Sequence, residues 1–81
     1  MNTKITPTLD TLSKGQKAKI KKLNASGKLL HKLLDMGFVK NVEIEVIREA
    51  PLYDPMEIKI HEYYLTLRKS EANLVEIEDN K

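Results

Sequence analysis

Apolar and polar positions alternate with period two in several short stretches. Val42, Ile44 and Val46 alternate with Glu43 and Glu45, and Met56, Ile58 and Ile60 alternate with Glu57 and Lys59. Both patterns predict half-buried β-strands, because successive side chains of a strand point to opposite faces. Tyr63, Leu65 and Leu67 alternate with Tyr64, Thr66 and Arg68 and predict a third strand directly after the second of these. Ala18 and Ile20, set between Lys17, Lys19 and Lys21, predict an earlier strand, and Val75 and Ile77, flanked by Glu76 and Glu78, a last one.

Only one stretch has helical spacing. At about 100° per residue, Leu29, Leu30, Leu33, Leu34 and Met36 gather into an arc of roughly 160°, with Lys28, His31, Lys32 and Asp35 opposite. This predicts a short amphipathic helix over about 27–36, its leucine arc turned into the core. Ser26 is its expected N-cap, and Gly37 stands where a helix end favours positive φ. An extra helical turn is expected at 9–12, with Lys14-Gly15 turning into the first strand. Another is expected at 69–73, with Ser70 capping and Asn73 accepting left-handed geometry.

Five short strands in a flat sheet would leave two naked edges. A strongly bent barrel that pairs the last strand with the first removes most of that edge. The expected architecture is therefore mainly β: a small five-stranded SH3-like barrel, with the helix between its first and second strands lying over one open end. The 81 residues are expected to form a single domain with its core at about 9–78.

The chain contains no cysteine, which removes disulfides, thiolate zinc sites and a catalytic thiol. Lys4 and Pro7 interrupt the apolar run a secretory leader would need, and no apolar stretch reaches the roughly 18 residues of a membrane helix. The net charge of +2 conceals an asymmetry: residues 1–34 carry eight lysines and one acid, and residues 35–81 six basic and eleven acidic side chains. Lys17, Lys19 and Lys21 project from one strand face at about 6.6 Å intervals, close to phosphate spacing. Closure of the barrel sets Glu76 and Glu78, or Glu43 and Glu45, opposite them, and the stripe holds no stacking aromatic. Charge neutralisation is the expectation, and nucleic acid is not an expected partner.

His31 and Asp35, four apart on the polar helix face, together with His61, form a candidate site for a weakly held divalent cation such as Fe2+. No cofactor is required. Pro51 and Pro55 stiffen the connection after the second strand, and Leu52, Tyr53 and Asp54 between them are the candidate partner contact. The chain has no Gly-rich phosphate loop, HExxH motif or nucleophile beside a histidine, and an enzyme is not expected.

Several segments in this order resemble the FeoA family of ferrous iron uptake. They are Thr11-Leu12 through Gly15, Leu33-Leu34-Asp35-Met36-Gly37, Ala50-Pro51-Leu52-Tyr53-Asp54-Pro55 and Tyr64-Leu65-Thr66-Leu67-Arg68-Lys69-Ser70-Glu71-Ala72. The family commonly has glycine before the second strand and in the hairpin, where this chain has Asn41 and Glu62. Asn41 can adopt positive φ, whereas Glu62 would do so at a steric cost. The resemblance implies a cytoplasmic accessory protein, a monomer or weak dimer, held at the inner membrane face by the GTPase region of a FeoB-type transporter. The alternative is a regulatory module related to the C-terminal domains of metal-dependent repressors, acting through protein or metal binding.

Overall fold

A computed structural model describes residues 7–48 and 55–78. A single 3-10 turn (Leu9–Thr11) precedes β1 (Lys17–Leu23), α1 (Gly27–Asp35), β2 (Glu43–Arg48), β3 (Met56–Ile60), β4 (Tyr63–Leu67), α2 (Lys69–Ala72) and β5 (Val75–Ile77). All pairings are antiparallel, in the order β4-β3-β2-β1-β5. The expected five strands, the helix and both extra turns are present.

The period-two positions become one face. Ile44 pairs with Ile60, Val46 with Ile58, Ile58 with Leu65 and Met56 with Leu67. Ile44, Val46, Met56, Ile58, Ile60 and Leu67 are buried, joined by Ala18 and Ile20 of β1 and Val75 and Ile77 of β5. Register shifts between Ile20 and Lys22 and between Val46 and Arg48 mark irregularities where a sheet bends more sharply.

β1 is shared between two ladders. Its first half pairs with β2 (Lys17 with Glu45, Lys19 with Glu43) and its second half with β5 (Lys22 with Glu76, Leu23 with Val75). The expected pairing of last strand with first is therefore present, although the ladder stays open between β4 and β5. The outer edge of β5 meets the N-terminal segment instead: Thr8 bridges to Glu76, and the Ile77 N–H donates to the Pro7 carbonyl over 3.0 Å.

α1 ends at Asp35 in a Schellman motif. The Phe38 N–H donates to the Leu33 carbonyl at 3.0 Å and the Gly37 N–H to the Leu34 carbonyl at 2.9 Å, with Gly37 at φ 95°. Phe38 and Leu33, the hydrophobic pair that accompanies this motif, are both fully buried. The leucine arc is narrower than its spacing predicts: Leu33 is buried, Leu29, Leu30 and Met36 are half-buried, and Leu34 faces solvent.

Ser26 occupies the N-cap of α1 as expected, though without a side-chain hydrogen bond, and two local expectations are corrected. Arg68, not Ser70, is the N-cap of α2, and Asn73 stays right-handed at φ −65°. In the hairpin Ile60 pairs with Tyr63, so His61 and Glu62 form a two-residue turn, and His61 rather than Glu62 takes the positive φ, at 57°. Asn41 adopts the expected positive φ, at 74°.

Candidate interaction surface

The end of α1 and the β3–β4 hairpin meet at Gly37. A Cβ there would lie 3.1 Å from His61 Cδ2 and 3.1 Å from the Tyr63 hydroxyl, so the absence of a side chain is what admits both rings. The Tyr63 hydroxyl donates to the Met36 carbonyl at 2.6 Å, satisfying an acceptor at the helix end. The His61 and Tyr63 ring centroids are 6.2 Å apart. Around this junction Leu34, Val39 and Tyr63 are 41%, 44% and 44% exposed. Tyr64 is also exposed, with Lys59 Nζ 5.8 Å from its ring centroid.

A second feature lies between the two helices. Lys32, Pro55, Thr66, Arg68 and Glu71 line a cleft of about 390 Å³. Lys32 Nζ reaches Glu71 Oε2 at 2.8 Å, and the Arg68 N–H donates to Glu71 Oε1 at 3.1 Å. The Lys32 hydrogen bond is the main cause holding the Glu71 carboxyl below its ordinary range; burial opposes it, and the Arg68 N–H and the two positive charges reinforce it. The carboxylate thus caps α2 and ties it to α1.

The lysine stripe faces acids as expected. Lys17 sits opposite Glu45 and Lys19 opposite Glu43, while Glu45 faces Lys59 on its other side. Lys21 falls at the β1 irregularity and has no register partner in either ladder.

The residues singled out in the sequence are dispersed. His31 and Asp35 lie exposed on α1, and His61 lies on the hairpin against Gly37. Among the described residues no group of three or more histidine, aspartate and glutamate side chains is placed to hold a metal ion. Leu52, Tyr53 and Asp54 lie outside the described residues. The junction of Leu34, Val39 and Tyr63 is absent from the sequence-derived sites; its only signal there was the helix ending at Gly37.

A short antiparallel sheet with a helix inserted after its first strand, and with no buried polar or charged side chain among the described residues, defines a small SH3-like module. Residues 8–79 match the FeoA domain. The chain belongs to the FeoA family.

It is 36% identical over 70 residues to the Fe(2+) transport protein A/Fe(2+) transporter FeoB fusion protein of Porphyromonas gingivalis, covering 86% of this chain and 8% of the fusion. Over 70 residues it is 34% identical to the putative Fe(2+) transport protein A of Campylobacter jejuni, covering 86% of this chain and 95% of that one. The iron(II) transport protein A of Clostridium thermocellum superposes with a TM-score of 0.83 at 49% identity, covering 89% of this chain and 44% of that chain. The chain thus spans less than half the length of the fusion protein and of the C. thermocellum chain. Two more distant structures share the fold. One is the zinc-complexed FeoA of Stenotrophomonas maltophilia, described as an SH3 domain protein (TM-score 0.80, 24% identity, 89% of each chain). The other is a manganese-dependent transcriptional repressor (TM-score 0.82, 13% identity, 94% of this chain and 42% of the repressor). Among the described residues no helix is long and apolar enough to cross a membrane.

Proposed function

We propose that this chain is a non-enzymatic accessory module of ferrous iron uptake that docks on the cytoplasmic GTPase region of a FeoB-type transporter and modulates it from the inner face of the membrane. The observation that supports this reading is the P. gingivalis relative, in which a domain matching this chain and a FeoB transporter belong to one polypeptide. Covalent linkage raises the effective concentration of one module at another, which benefits a contact that is individually weak. A domain whose polar side chains, among the described residues, are all at least partly exposed is suited to surface recognition. On sequence grounds, Leu52, Tyr53 and Asp54 are one contact element, since Pro51 and Pro55 reduce the ordering cost of the segment between them.

The test is binding of the full chain to the FeoB-type transporter of the same organism in lipid nanodiscs, with empty nanodiscs as control and with GTP- and GDP-loaded transporter compared. Saturable binding specific to the transporter is expected, and Tyr53→Ala should weaken it in a chain that remains folded. Equal signal from empty and loaded nanodiscs would remove the reading. Unchanged affinity of a folded Tyr53→Ala chain would remove the loop from the contact.

A further inference from the structure

The two edges of the sheet are unequal. The short strand β5 has its outer edge against the Pro7-Thr8 segment, whereas among the described residues nothing pairs with the outer edge of β4. That edge carries none of the usual guards. Tyr63-Tyr64-Leu65-Thr66-Leu67 contains no charge, proline or glycine, is rich in residues that favour strands, and runs along β3 in continuous register without a bulge.

The hairpin fixes which backbone groups point outward. Ile60 and Tyr63 flank its two-residue turn, so residues 63, 65 and 67 exchange hydrogen bonds with β3, and the N–H and C=O groups of Tyr64 and Thr66 point away from it. Arg68 ends the free edge: its N–H donates to Glu71 Oε1, and its carbonyl accepts from the Glu71 and Ala72 N–H groups. Tyr64 and Thr66 are exposed, and Leu65 between them is only half-buried.

A second copy of β4 satisfies all of these outward groups in one antiparallel register, with Leu65 on the two-fold axis. Tyr64 then faces Thr66 of the second copy, and Thr66 faces its Tyr64. Moving the register either way would bring Arg68, whose backbone is committed to α2, or the turn residue Glu62 into the ladder. In the Leu65-centred register the flanking charges also match: Glu62 falls beside Arg68 of the second copy, and symmetry repeats the pair. Both residues are exposed, Arg68 keeps extended backbone at φ −69° and ψ 149°, and neither forms an ion pair within its own chain. The neighbouring charges are compatible. Glu71, toward which the Arg68 charge acts, is paired with Lys32, and Lys69 has the same sign as Arg68. Glu57 and Lys59 stand one strand back, opposite Thr66 and Tyr64, so each row across the joined sheets ends in a lysine on one copy and a glutamate on the other.

From this complementarity we infer that the chain self-associates through β4, two copies joining their sheets antiparallel about Leu65. The inference is independent of the transporter reading. So short an edge buries less than the roughly 800 Å² per partner of a stable interface, and the dimer is therefore weak and reversible, with a dissociation constant on the order of 0.1–1 mM.

Sedimentation equilibrium and amide NMR of the full chain, at concentrations on either side of that value, test this for the unsubstituted protein, T66P, E62R, R68E and an equimolar mixture of the last two. The Thr66 N–H is not used by β3, so T66P should keep its own sheet, which amide spectra check. The unsubstituted chain is expected to dimerise, with the amide signals of 63–67 moving with concentration, and T66P to stay monomeric. E62R and R68E each set like charges together twice and are expected to weaken the dimer roughly tenfold at low salt. Mixed, they present opposite charges in both rows and should pair with each other more tightly than either does with itself, a preference that salt removes. E62R lies in an exposed turn and tests the register even where R68E perturbs α2. A chain monomeric at every concentration would overturn the proposal; if T66P then also lost binding to the transporter, the edge would belong to a strand of that partner. A dimer that T66P leaves intact would overturn the use of β4. A dimer lost in T66P but unchanged in E62R would overturn the register.

Discussion

The Tyr63 hydroxyl donates to the Met36 carbonyl across 2.6 Å, joining the first residue of β4 to the last turn of α1. The two groups are separated by all of β2 and β3, so this bond latches the hairpin onto the helix end. Replacing Tyr63 by phenylalanine keeps the ring and removes the latch. A net loss of about 1 kcal/mol is expected, which for a domain of this size lowers the midpoint of thermal unfolding by about 4–8 °C. An unchanged midpoint would mean that water replaces the hydroxyl without loss.

Gly37 and Gly15 both adopt positive φ, at 95° and 90°, and differ in what surrounds them. A Cβ at Gly15 meets nothing within 4 Å, whereas one at Gly37 meets His61 and Tyr63 at 3.1 Å. Gly15→Ala should therefore incur only the backbone cost, about 1–2 kcal/mol. Gly37→Ala should cost more, because the two rings must also move. Denaturant melts of the pair decide the matter: equal losses would mean that the hairpin side chains yield freely.

Leu33 and Leu34 are adjacent, and the edge of the core passes between them. Leu33→Ala removes a fully buried side chain and is expected to cost about 2–5 kcal/mol. Leu34→Ser changes a solvent-facing position and should fall within about 0.5 kcal/mol of the parent. A comparable loss at both sites in chemical denaturation would show that Leu34 is covered in solution.

The Glu71 carboxyl is held below its ordinary value of 4.5, principally by Lys32. The folded state therefore favours the ionised form. The stability this provides is complete above the unfolded pKa and disappears as pH falls through the lower folded value. Lys32 is 54% exposed, so solvent screens the pair and the contribution stays within about 1 kcal/mol. Lys32→Met should return the Glu71 titration toward the ordinary range and shrink this acid-side loss. Carboxyl NMR titration of both proteins gives the answer; an unmoved Glu71 would assign the shift to the Arg68 N–H and the Arg68 charge.

Much of the fold was legible because burial writes itself into alternation. Val42 to Val46 and Met56 to Ile60 alternate so regularly that strand, face and partner follow together. The leucine arc located α1 and its limits but overstated its buried face, since Leu34 lies at an angle consistent with burial and is nevertheless exposed. Residue type also concealed the hairpin strain: nothing about His61 announces a positive φ, which arises from the two-residue connection between Ile60 and Tyr63. Ser70 looked like a cap, yet Glu71 can reach back to the Arg68 N–H, and its partner Lys32 comes from a helix far away in sequence. The exposed junction around Gly37 is tertiary in the same sense, because Tyr63 reaches it only through the completed sheet.

The division of β1 between two ladders implies an order of assembly. β2, β3 and β4 follow one another as a meander whose contacts close short loops, whereas the pairing of Ile20 with Ile77 must enclose most of the chain. Loop-closure entropy delays such distant contacts until nearer ones are in place. The amide protons of β5 and of the second half of β1 should therefore gain protection after those of the meander during refolding. The segment 75–77 is the last strand among the described residues and, by the same reasoning, the last of them to lock.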